Sequence, residues 1–128
     1  MHIADNLARV REQIAAAAKQ AGRPASEVTL VAVTKTRSPG EIRAAYAAGV
    51  RHFGENRVGE MAEKRPQLEL AGVTWHMVGH LQRRKARQAV ELFDIVHSVD
   101  SVRLARRLDA LAAERGLVLP ILIEINVS

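Results

Sequence analysis

The chain has 128 residues, 48% of them hydrophobic and only 3% aromatic, with no cysteine and a formal net charge of +5. This is enough for one domain with an aliphatic core; it excludes a disulfide scaffold or cysteine-bound metal and fits a reducing cytoplasm. Charged Asp5, Arg9, Arg11 and Glu12 interrupt the N-terminus, no run nears the ~20 apolar residues of a membrane span, and the scattered basic charge has few aromatics for base stacking, which disfavours a secretory leader, a membrane anchor and nucleic-acid binding.

The first segment, Ile3 to Ala21, places Ile3, Leu7, Val10 and Ile14 at helical spacing and ends at Gly22 and Pro24. Val28 to Thr34 reads as a short buried strand. Ser38-Pro39-Gly40-Glu41 then supplies an N-cap, a proline at the first helical position and a capping-box glutamate. That helix is expected to run to Ala48 and to stop at Gly49. Val50 to Phe53 is a second strand, with a helix from about Asn56 to Leu70. Val73 to Val78 is a third strand, followed by a helix over Gln82 to Leu92. Asp94 to His97 is a fourth, and Ser101 to Arg115 is a helix closed by Gly116. Leu119 to Val127, almost wholly apolar, is a fifth strand.

Strand and helix alternate throughout with short links, the pattern of a parallel sheet covered by helices. No Gly-x-Gly-x-x-Gly or Gly-Lys-Ser/Thr loop follows any strand, so a dinucleotide or P-loop fold lacks its fingerprint. A (β/α) TIM-barrel type of domain is the better reading. Such barrels use eight strands and about 250 residues. Only five strands are predicted, so residues 1–128 are expected to form a single partial barrel, truncated after the fifth strand. Its open edge exposes apolar surface and unpaired backbone, and is expected to drive dimerisation or swapping.

In a barrel, ligands bind where the strands end. Lys35 closes the first strand, on the same face as Val31 and Val33. If that face points inward, a dry valine column lies beneath it and favours the neutral amine that attacks an aldehyde to give a Schiff base. On the fifth strand Glu124, Asn126 and Ser128 share the inward face, opposite Ile121, Ile123, Ile125 and Val127. Asn56 is open to two readings, as the cap of the following helix or as a ligand group at a strand end. His76 and His80 are four residues apart on a strand, roughly 13 Å, too far to share one zinc. His76 therefore reads as a core histidine, and His80 as a group at the strand exit. Arg83, Arg84 and Lys85 begin a helix and point into water, or less plausibly gather an anion. No Ser-His-Asp arrangement or paired carboxylates can be argued.

Five stretches together carry a resemblance: Val31-Ala32-Val33-Thr34-Lys35-Thr36, Phe53-Gly54-Glu55-Asn56-Arg57-Val58, Trp75-His76-Met77-Val78-Gly79-His80-Leu81-Gln82, His97-Ser98-Val99-Asp100-Ser101, and Ile125-Asn126-Val127-Ser128. In order and spacing the chain resembles the pyridoxal phosphate homeostasis protein family. The resemblance implies the alanine racemase barrel fold, with pyridoxal 5′-phosphate held by Lys35. It also implies pocket positions at Asn56, His80 and Ser98, and a role in cofactor homeostasis without a settled catalytic activity. A racemase-like enzyme and a non-functional barrel fragment are the alternatives. Arg37, Gly59 and Arg84 depart from the family's usual lysine, glutamine and asparagine. The resemblance further implies that most phosphate-binding loops belong to later strands.

Overall fold

The computed structural model describes residues 2–127. Helix α1 (Ile3–Gln20) lays Ile3 and Leu7, one turn apart, against the core and buries Ala18. Strand β1 (Ala32–Val33) leads to α2 (Pro39–Ala47), whose start is a complete capping box. The Ser38 hydroxyl accepts the Glu41 N–H at 3.1 Å, and the Glu41 carboxylate accepts the Ser38 N–H at 3.1 Å. Strand β2 (His52–Glu55) is followed by α3 (Val58–Lys64), which tightens into a 3₁₀ turn over Arg65–Gln67. Pro66 removes an N–H there and ends the helix well before Leu70. Strand β3 (Thr74–Met77) leads through a 3₁₀ turn (Arg83–Lys85) into α4 (Ala86–Leu92). Strand β4 (Ile95–Val99), α5 (Val102–Glu114), N-capped by the Ser101 hydroxyl, and β5 (Ile121–Ile123) complete the described chain.

The five strands are all parallel and lie in the order β1-β2-β3-β4-β5. An open doubly wound sheet reverses its strand order and carries helices on both faces, whereas a barrel adds strands in sequence and keeps its helices outside. Here one core cluster joins Ile42 of α2, Met61 of α3, Ala86 and Val90 of α4, and Leu104, Leu108 and Leu111 of α5 to Phe53, Trp75, Met77, Val96 and Val99 of the sheet. All of that packing is on one face. The other face carries Val31, His52, His76, His97 and Leu122 around an open concavity of about 540 Å³. It is the inner wall of a (β/α) barrel.

The ladders are shorter than the apolar runs suggest. Ala32 pairs with Phe53, so Val31 is already level with the start of β2, and the ladder begins only at Ala32. On β5, Ile121 packs against the core, but Ile123, Ile125 and Val127 are exposed to 74%, 75% and 92%. Ile123 shares the outward face of β5 with Ile121, as the alternation predicts, while Ile125 and Val127 lie beyond the strand. Between β4 and β5, Val96 pairs with Ile121 and Val99 with Ile123, three steps against two. This bulge falls at His97-Ser98, at the rim of the sheet where such irregularities re-aim side chains. The predicted position of Ser128 lies outside the described residues.

Candidate functional site

The rim at the C-terminal ends of β1 to β4 is built from the register. Val33 pairs with Gly54, and Gly54 with His76. Two residues further along, Lys35, Asn56 and Val78 stand at about one level. Thr34 turns its side chain to the helix layer, where its hydroxyl donates to the buried Glu55 carboxylate. Continued past the end of β1, the alternation puts Lys35 on the inward face with Val31 and Val33. A Cβ on Gly54 would sit 3.2 Å from Val78, 3.3 Å from Val31 and 3.6 Å from Val33. These three valines close tightly around a position where a side chain fits only if they yield slightly, and form a shallow apolar floor beneath the rim.

The dry column expected under Lys35 is absent. Val33 is 50% exposed and Lys35 is exposed, because no strand stands opposite this face among the described residues. The amine is therefore reachable from solvent. Its backbone is tightly held: the Thr34 carbonyl accepts the Arg37 N–H at 3.0 Å, closing a β-turn over residues 34–37. Thr36, third in that turn, has φ of +62°. Positive φ at the third position alone defines the type II family, which prefers glycine there. A β-branched residue in this region is strained by about 1–3 kcal/mol and must be held by its surroundings.

Asn56 does not cap α3: Arg57 takes the N-cap position without any side-chain bond. Asn56 instead meets Gly79, where any Cβ would collide with the Asn56 backbone. This close approach of the β2 and β3 exits requires glycine. Asn56 and His80 are brought together at the rim of a hollow of about 360 Å³ between α3 and the turn before α4; Lys35 and Ser98 do not line it. His80 is exposed and stands 3.9 Å from the Asp100 carboxylate. Ser98 is fully buried, and its hydroxyl donates to the Gly79 carbonyl at 2.6 Å. With that proton committed, Ser98 fixes the Gly79 loop and offers a ligand only an acceptor.

Two polar arrangements escaped the reading of the sequence. In the first, Lys64 of α3 is buried and donates to Glu55 at 3.0 Å, to Glu60 at 2.6 Å and to the Thr34 carbonyl at 2.7 Å. The Lys64 contact, above all, holds the Glu60 carboxyl below its ordinary range. The signal was legible in retrospect: alternation sends Glu55 to the apolar helix layer, where a carboxylate needs a cation. In the second, His76 of β3 bridges His52 (Nδ1 to His76 Nε2, 3.0 Å) and His97 (Nε2 to His76 Nδ1, 2.8 Å). Each contact needs one donor and one acceptor, so the three neutral rings must share a single tautomer sense. Burial, then the neighbouring His97 and His52, push the His76 ring down to about 4 against a weaker opposing effect of Asp94. Burial also lowers His97. The expectation of a core histidine at position 76 holds in this form. Among the described residues no group of three or more His, Asp or Glu is arranged to hold a metal ion.

A one-sided parallel sheet with strands added in chain order, and a lysine at the end of its first strand, defines a lysine-bearing (β/α)-barrel domain. The chain belongs to the family described as alanine racemase, N-terminal domain, whose model matches residues 6–128. It is 44% identical over 129 residues to the pyridoxal phosphate homeostasis protein of Escherichia coli (strain K12), a match covering 98% of this chain and 55% of that protein. The protein of the same name from Pseudomonas aeruginosa is 40% identical over the same share. Among solved structures, PipY of Synechococcus elongatus PCC7942 with PLP bound superposes with a TM-score of 0.86 at 46% identity, covering 98% of this chain and 55% of that one. The chain thus spans about half the length of the curated relatives it matches.

Proposed function

We propose that this chain binds pyridoxal 5′-phosphate covalently through the Nζ of Lys35 and serves cofactor homeostasis in the cytoplasm. The observation that carries the reading is the position of Lys35, on the inward face at the C-terminal end of β1. The residues present suit the group in three respects. A primary amine is accessible for the cofactor's aldehyde. The valine floor around Gly54 offers a flat apolar surface to a planar ring. Asn56 and His80 add polar groups at the same rim. When bound, the cofactor supplies an electron sink; this chain's residues orient it and shield one side. The Ser98 hydroxyl, through Gly79, keeps the β3 exit in place. Family membership and the PLP-bound relative support the reading. Among the described residues no helix is long and apolar enough to cross a membrane. Self-association through the open edge is part of the proposal, on the strength of the exposed Ile123, Ile125 and Val127.

The test is borohydride reduction after incubation with pyridoxal phosphate, followed by peptide mapping. The expected label is on Lys35, with loss of the bound chromophore in Lys35→Ala. Label spread over surface lysines, or a chromophore that survives Lys35→Ala, would overturn the reading.

A further inference from the structure

The backbone on both sides of Lys35 is gripped from one helix. Glu60 and Lys64 lie four apart on α3 and contact each other at 2.6 Å. The Lys64 ammonium bonds the carbonyl before Lys35, on Thr34, at 2.7 Å. The Glu60 carboxylate accepts the N–H after Lys35, on Thr36, at 2.6 Å. All three donors of the ammonium are occupied, the third by Glu55 at the end of β2.

The Thr36 N–H belongs to the peptide unit between the second and third residues of the turn. That is the unit whose reversal interconverts type I and type II turns. With its N–H on Glu60 it must lie in the type II sense, which imposes the positive φ on Thr36. Reversal would relieve Thr36 and turn the Lys35 carbonyl towards a carboxylate. The N–H and C=O of a trans peptide point opposite ways, so the same bond directs the Lys35 carbonyl away from α3, where the Thr36 hydroxyl donates to it at 2.6 Å.

We propose that Glu60 and Lys64 are positioning residues for Lys35: the α3 pair clamps the Thr34–Arg37 turn in its strained form and so fixes the amine at the barrel mouth. This inference rests on the cofactor reading above for its consequence, but the clamp itself can be tested without any cofactor. Glu60 is the residue to change, since it is only partly buried, and Lys64 keeps Glu55 and Thr34 in its absence.

In Glu60→Ala, amide exchange at Thr36 followed by NMR should accelerate about tenfold or more, the scale of a lost bond to a charged group. The rate of Lys35 labelling by pyridoxal phosphate and borohydride should fall by about the same order. Adding Thr36→Gly to Glu60→Ala should restore labelling, because glycine adopts the type II turn unaided. A merely structural role for Glu60 would not be rescued by a glycine in the turn. Unchanged Thr36 exchange in Glu60→Ala overturns the clamp. Faster exchange with unchanged labelling, or labelling that glycine fails to restore, overturns the positioning role. If the unmodified chain itself fails to label at Lys35, the cofactor reading falls, and Thr36 exchange alone then decides whether the clamp exists.

Discussion

Acidification should destabilise this chain through His76 before the pH reaches the ordinary carboxylate range. The folded imidazole titrates near 4 rather than 6.5, because it is buried between two other histidines. Between those values the unfolded chain carries a proton that the folded chain rejects, so stability rises with pH across the window. The contribution is complete above about 6.5 and is lost as the pH falls towards 4. At about 1.4 kcal/mol per pH unit, the separation amounts to roughly 3 kcal/mol, of which about 2 kcal/mol is gone by pH 5. His97, also lowered by burial, adds loss of the same sign. Glu41 and Glu60 have depressed values and act in the same sense but in a lower window: their stabilisation fades only as the pH falls below their ordinary 4.5. Urea titrations at pH 7.5, 6.5, 5.5 and 5.0 separate the two. The single tryptophan, Trp75, is buried beside His76 in the chain and reports unfolding by fluorescence. The midpoint should drop steadily over this series, and His76→Gln should flatten most of the drop. A wild-type midpoint constant from pH 7.5 to 5.0, or an undiminished drop in His76→Gln, would refute the argument.

Gly79→Ala should cost roughly 1–3 kcal/mol by urea denaturation, since the added methyl meets the Asn56 backbone, which has little freedom to yield. Lys64→Met strands the fully buried Glu55 carboxylate and should cost about 3–5 kcal/mol; the double change with Glu55→Leu should recover much of it, and a double variant no more stable than the single would count against the account. Ser38→Ala removes the N-cap of α2 and should lower stability by about 1 kcal/mol in the same assay, with no effect on Lys35 labelling. Light scattering should detect self-association of the chain that Ile123→Glu weakens, and a monomer at all concentrations would remove the case for an open-edge contact.

The alternation of strand and helix was legible where a helix begins or ends on a residue with one local job. Ser38 caps its helix as its position suggests, whereas Ser101, read as the first helical residue, proves to be the cap; the inward face of Lys35 follows from period-two alternation with Val31 and Val33. The exposure of that lysine was not legible, because dryness depends on what stands across the barrel and not on the strand itself. Pro66 shortened α3 against an apolar pattern that continued to Leu70. Asn56 looked like a cap on composition alone, whereas the helix starts two residues later and the backbone there is occupied with Gly79. The contacts of Lys64 with Glu55 and Thr34, and those of the histidine row, join residues 9 to 30 positions apart; strand register and helix docking set them.

The sequential strand order also bears on how the chain is made. Each strand after the first finds its only earlier neighbour already synthesised, one helix back along the chain. Domains that emerge N-terminus first at about 5–20 residues per second can then grow by addition at one edge, each new strand meeting a neighbour already made. Every pairing closes a loop of similar, modest length, which keeps the entropic cost of each step nearly constant. Both strands and the helix that make up the proposed turn clamp, β1, β2 and α3, lie within residues 32–64, so every part of it is synthesised by the midpoint of the chain.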